Sequence, residues 1–181
     1  MAGNKHLKKT IVILCAAIVV FTLVGCRKEA PTEDSEDETT AGPNETLVVE
    51  LGVGIGPVKF GMSKEEVIEN FGEPDKVEGG GQGLNYVASK GFSLFVSPMR
   101  GVRAIDCWSE KYPVGTVSNF AGKTKEGIAM NASRAEIVAA YGKPDRTTSN
   151  GPMTTLHYGK FRAQFVIMHD KLVNLKMNAP K

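Results

Sequence analysis

The chain is poor in the residues that metal and thiol chemistry need. Its 181 residues include three cysteines, three histidines and one tryptophan. There is no Cys-x-x-Cys pair, and His6, His157 and His169 stand at no spacing that would close a metal site. Neither a metal nor a cofactor is expected. Long apolar runs are missing as well. The stretch from Thr10 to Gly25 counts 16 residues, short of the roughly 18 needed to cross a hydrocarbon core about 30 Å thick. Nor is there a block of Lys and Arg: residues 51–181 hold 17 basic and 12 acidic side chains, a net of +5 spread along the segment. That distribution lacks the electrostatic footprint of a nucleic-acid binder.

The amino-terminal segment has a clear plan. Lys5, Lys8 and Lys9 precede the apolar stretch, which ends in Leu23-Val24-Gly25-Cys26. This layout resembles a bacterial lipoprotein signal: a basic region, a short apolar region from Thr10 to Val24, and small residues before a cysteine. The resemblance implies a diacylglycerol on the Cys26 thiol, cleavage before Cys26, and acylation of the new amino terminus, commonly with palmitate. Two or three acyl chains would hold the protein on a membrane, whereas one gives marginal binding. An uncleaved anchor or a plain secretory signal are the alternatives, and all three place the remainder outside the cytoplasm. The expected address is the cell envelope, and Arg27 in place of an aspartate favours the outer membrane.

Residues 26–46 form the next unit. Arg27 to Thr46 holds almost no large apolar side chain but is dense in acids and hydroxyls, a composition that cannot bury enough surface to order itself. It is expected to act as an acidic tether between the lipid and a domain spanning 47–181. If the signal is removed, 19 basic residues remain against 20 acidic. Cys107 is then the sole thiol of that domain, and no intramolecular disulfide is possible.

Within the domain, two segments align at an offset of 70. Gly61-Met62-Ser63-Lys64-Glu65-Glu66-Val67 through Gly72-Glu73-Pro74-Asp75 falls on Asn131-Ala132-Ser133-Arg134-Ala135-Glu136-Ile137 through Gly142-Lys143-Pro144-Asp145. Ser63 with Glu66 and Ser133 with Glu136 are capping boxes, Gly72 and Gly142 suit a left-handed helix end, and Pro74 and Pro144 bar continuation. One short helix per copy is predicted, with Val67, Ile68 and Phe71, or Ile137, Val138 and Tyr141, facing the core. Strand alternation follows at Leu84–Ala88, Phe92–Ser97 and Val102–Trp108, and again at Thr154–Tyr158, Phe161–Met168 and Leu172–Met177. Phe95-Val96 falls on Phe165-Val166. The expected fold is therefore α+β, two tandem repeats (about 55–108 and 125–178), each a short helix followed by an antiparallel β-meander.

The Gly-Met-Ser-x-x-Glu-Val and Gly-x-Pro-Asp stretches of this unit resemble the small lipoprotein of the outer-membrane β-barrel assembly machinery. The tandem duplication resembles the β-lactamase inhibitory protein. These resemblances imply a non-catalytic, protein-binding role. Both families often place two helices before the meander, and only one is defensible here.

Catalytic chemistry has few candidates. Cys107 is the sole nucleophile, with His157 and His169 as bases, yet its counterparts at offset 70 are core residues and point to a buried structural thiol. Gly52–Gly56 and Gly79–Gly83 lack the context of a phosphate cradle and read as flexible loops. Asp75 and Asp145 read as turn residues bonding their own backbone two residues on. Positions that differ between the copies are the candidate partner contacts: Trp108 opposite Asn178, with Met99 and Arg100 opposite His169 and Asp170. The expectation is a membrane-anchored, non-enzymatic module that binds a protein or another envelope component. A small-ligand carrier or thiol-dependent enzyme using Cys107 or a cleft between the repeats is the alternative, and a purely structural lipoprotein is a third reading.

Overall fold

The computed structural model describes residues 46–113 and 115–181. The expected signal peptide (1–25), the expected lipidation at Cys26 and the expected tether up to residue 45 lie outside the described residues. Among the described residues no helix is long and apolar enough to cross a membrane.

A small sheet forms first. Strands β1 (Val48–Glu50), β2 (Gly54–Ile55) and β3 (Val58–Lys59) make an antiparallel ribbon, and β8 (Lys123–Thr124) adds to β1 in parallel. Part of the first glycine-rich stretch, expected as a flexible loop, is therefore ordered strand. A side chain at Gly54 would place its Cβ 2.1 Å from the Val58 carbonyl oxygen. This close crossing, which only glycine allows, explains why the segment read as a loop.

Helix α1 (Lys64–Phe71) leads into β4 (Lys76–Glu78), β5 (Gly83–Tyr86), β6 (Phe92–Ser97) and β7 (Gly101–Trp108). Helix α2 (Arg134–Tyr141) leads into β9 (Arg146–Asn150), β10 (Met153–Tyr158), β11 (Ala163–Met168) and β12 (Lys171–Asn178). All eight strands join one sheet in the order β4-β5-β6-β7-β12-β11-β10-β9. The α+β fold of two helix-plus-meander repeats expected from the sequence is thus not the observed class. The protein is mostly β, with sheets of four and eight strands and two helices. Three physical causes account for the difference. The polar segments after each helix pair as edge strands, although every residue in them is exposed. The amino-terminal residues build a sheet of their own. Finally, β7 and β12 share a ladder from Ala104–Asn178 to Trp108–Asn174, which fuses the strands following both helices into one layer.

Both capping boxes form. Ser63 Oγ accepts from the Glu66 amide at 3.2 Å while Glu66 accepts from the Ser63 amide at 2.6 Å; the Ser133 and Glu136 distances are 3.3 and 2.7 Å. Each helix is locked at its other end by a tyrosine: the Tyr86 hydroxyl donates to Gly72 O at 2.8 Å and that of Tyr158 to Gly142 O at 2.9 Å. Burial pushes the Tyr86 hydroxyl up to about 12, so it remains a donor. Val67 and Ile137 are the buried helix residues, and they join Val49, Ile55 and Val58 of the small sheet in a core against the large sheet's inner face. Phe71 and Phe92 pack with ring centres 4.9 Å apart, and Tyr141 and Phe165 at 5.3 Å.

Register departs from the constant offset. Leu94 opposes Ile105 and Phe165 opposes Leu175, so Phe165 is matched with Leu94, both buried, whereas Phe95 points outward beside Ala104. A one-residue slip exchanges the faces of a strand, and the expected pairing of Phe95 with Phe165 fails for that reason. Both strands carry an irregularity just after this point, between Phe95 and Val96 and between Val166 and Ile167.

Candidate binding face

The helices and the small sheet occupy one face of the eight-stranded sheet. Among the described residues the other face carries no packed element. Its outward positions follow from the ladders: Ser93 and Phe95 on β6, Asp106 and Trp108 on β7, Lys176 on β12, and Val166 on β11. Phe95 is 45% exposed in mid-sheet. Trp108 lies half-buried on the neighbouring strand, four residues along from Ala104, the partner of Phe95, and is set edge-on against Tyr112 at 4.7 Å, with its indole N–H reaching Ser93 Oγ at 3.5 Å. A shallow cleft of about 300 Å³ opens between them, also lined by Asn85, Ser93 and Asp106.

The centre of this face is polar. Lys176 Nζ sits 3.6 Å from Asp106 Oδ1. Burial raises the Asp106 carboxyl above its usual range, opposed by Lys176 and Asn174. The Asn174 side chain donates to Cys107 O at 3.0 Å across the seam. Strands β9 to β11 contain no acidic residue, and their outward charge is Arg146 beside His157. The Arg146 guanidinium approaches His157 Nδ1 at 3.5 Å, and Thr148 Oγ1 lies 3.0 Å from Nε2. Burial and Arg146 together lower the His157 ring below its ordinary value.

The predicted contacts do not form one patch. Trp108 belongs to the open face. Met99, 92% exposed, and Arg100 lie in the β6–β7 turn, on a separate cleft of about 550 Å³ with Ser63 and Lys64 at the start of α1. His169 lies in the β11–β12 turn, where His169 and Asp170 both take left-handed backbone at φ 49° and 57°. That is the type I′ hairpin geometry, and Asp170 accepts from the Arg134 amide at 3.3 Å. Asp75 and Asp145 do not bond their own turns. They accept from the Ser89 and Gly159 amides, 14 residues on, and so tie the helix exits to the next hairpin. Phe95 and Arg162 went unselected in the sequence, and His157 was considered only as a base for Cys107. Phe95 was concealed by the strand irregularity, and Arg162 by its place in a short turn.

Cys107 is fully buried on the inner face, and burial, then Asp106, raises its thiol far above the usual range. His157 faces the opposite side of the sheet, so it is not paired with Cys107. The β7–β12 ladder is continuous, leaving no cleft between the strands that meet at the seam. Among the described residues no group of His, Cys, Asp and Glu is placed to hold a metal.

No family model matches the chain, and no curated protein does either. Two solved structures are similar in part. One is a DUF4309 family protein, YjgB, from Bacillus subtilis, with TM-score 0.44 and 14% identity over 65% of this chain and 78% of that one. The other is an extracellular protein containing an SCP domain from Bacillus anthracis, with TM-score 0.40 and 10% identity. That likeness covers 82% of this chain and half of the other's length.

Proposed function

We propose that this protein is a lipid-anchored, extracytoplasmic binding module that catalyses nothing itself and docks a protein partner on the open face of its large sheet. The observation that supports this most is the uncovered face with Phe95 and Trp108 outward. Eight strands spaced about 4.8 Å apart and near 20 Å long present roughly 700 Å², close to the roughly 800 Å² per partner of a specific complex. Aromatic residues held rigidly on strands suit interface centres. The anchor is Cys26, and the outer membrane is the proposed address.

The test is capture from detergent-solubilised envelopes with the full chain, followed by identification of what is retained. A partner held by wild type and lost with Phe95→Ala or Trp108→Ala, but retained with Met99→Ala and Cys107→Ala, supports the reading. Loss of a measurable turnover on Cys107→Ala, with the fold intact, would replace it with a thiol enzyme. The intact mass of the membrane-extracted protein should begin at Cys26 plus lipid, and a Met1 start would reject the anchor.

A further inference from the structure

Arg162 is out of place twice over. Among the described residues, four other than glycine have positive φ: Asn131, His169, Asp170 and Arg162, the last at 51°. Asn, Asp and His are the side chains that tolerate this region, and arginine is not among them. Asparagine or glycine would serve the backbone after the short turn Gly159–Phe161 better, so the arginine is explained by its side chain or not at all. Yet Arg162 Nε is buried and has no hydrogen-bond partner among the described residues. Buried donors are nearly always paired, and one that is not calls for a reason.

The surroundings supply one. Arg162 lines a cleft of about 320 Å³ with His157, Gln164 and Asn178, the last three on outward positions of β10, β11 and β12. No carboxylate lines it, and β9, β10 and β11 contain no Asp or Glu. Asp145, close by through Gly159, is turned to that residue's amide. Arg146 extends the positive charge along the face through His157. An arginine at a cleft free of carboxylates, beside the amide side chains of Gln164 and Asn178 and with Arg146 beyond His157, matches a carboxylate in charge and hydrogen-bonding character.

We propose that this cleft is where a carboxylate from an acidic segment of the partner seats, with Arg162 its main contact and Gln164 and Asn178 donating beside it. The inference rests on the proposed binding role and specifies the chemistry of what is bound. It places the acidic contact on the β10–β12 side of the face, across the seam from Phe95.

Calorimetric titration of the full chain in detergent micelles with hexaglutamate tests it, with hexaglutamine and inorganic phosphate as the comparison probes. Hexaglutamate should bind at least tenfold more tightly than hexaglutamine. Arg162→Gly and Arg162→Asn should each weaken it at least tenfold without lowering the thermal midpoint, since both accept left-handed backbone; Met99→Ala should bind as wild type does. Undiminished binding by both Arg162 variants, no hexaglutamate binding by wild type, or tighter binding of phosphate than of hexaglutamate would each overturn the proposal. Partner capture that still depends on Phe95 and Trp108 would then show that this subsite alone had failed.

Discussion

Ser63 and Ser133 each satisfy one helix amide with a hydroxyl while a glutamate returns the bond. Replacing either by Ala should cost about 0.5–2 kcal/mol in urea unfolding, and Lys64→Ala, on the helix surface, about a tenth to half a kcal/mol. Cys107 should resist iodoacetamide in the folded protein and react once urea exposes it, read from the mass of the peptide containing it, because burial keeps the thiol protonated. His157 has the opposite shift to a paired histidine. Its folded value lies below about 6.5, so protons bind the unfolded chain better. The stability it contributes is complete above that unfolded value and is lost as pH falls through the folded one. His157→Gln should therefore lose less urea stability than wild type between pH 7.5 and 5.5. At this scale the caps and the buried thiol were legible because local spacing and the pattern of apolar neighbours specify them. Arg162 was not, since its two anomalies are a backbone angle and a missing partner, and neither leaves a trace in composition.

Among the elements, the β6–β7 hairpin is docked closely on the residues just before α1. Gly101, at φ 62°, would bring a Cβ to 2.0 Å from Gly61 O, while the Val102 amide donates to Met62 O at 2.8 Å and the Gly61 amide to Val102 O at 3.0 Å. Gly101→Ala should be far more destabilising than Gly142→Ala. Gly142 also has positive φ, at 79°, but has open space where the Cβ would go, leaving only a backbone cost of about 1–3 kcal/mol. Comparing the two midpoints in urea separates steric contact from backbone preference, and equal losses would contradict the close approach. Helices α1 and α2 and the inner strands were readable from capping and alternation. Strands β4 and β9 were not: Lys76–Glu78 and Arg146–Asn150 bury nothing, so only their partners' ladders make them strands. The glycine-rich start of the domain misled for the reverse reason, because Gly54 marks a crossing of two backbones rather than a slack loop.

The whole molecule turns on the seam where β7 meets β12. Leu175 faces Cys107 and Met177 faces Ile105 there, all buried, so the core beneath α1 and the core beneath α2 share one wall. Urea unfolding should accordingly be a single transition by fluorescence and circular dichroism, with the slowest amide exchange at 104–108 and 174–178; two separated transitions would mean the seam does not couple them. A different property follows from the small sheet. The described chain enters the fold through β1, held by β2 and by β8 and by no strand of the large sheet. If the protein is anchored at Cys26 and holds a partner on its open face, as proposed, tension between the two loads those few bonds first. Under that proposal the small sheet would act as a mechanical fuse, yielding before the open face of the large sheet loses its shape.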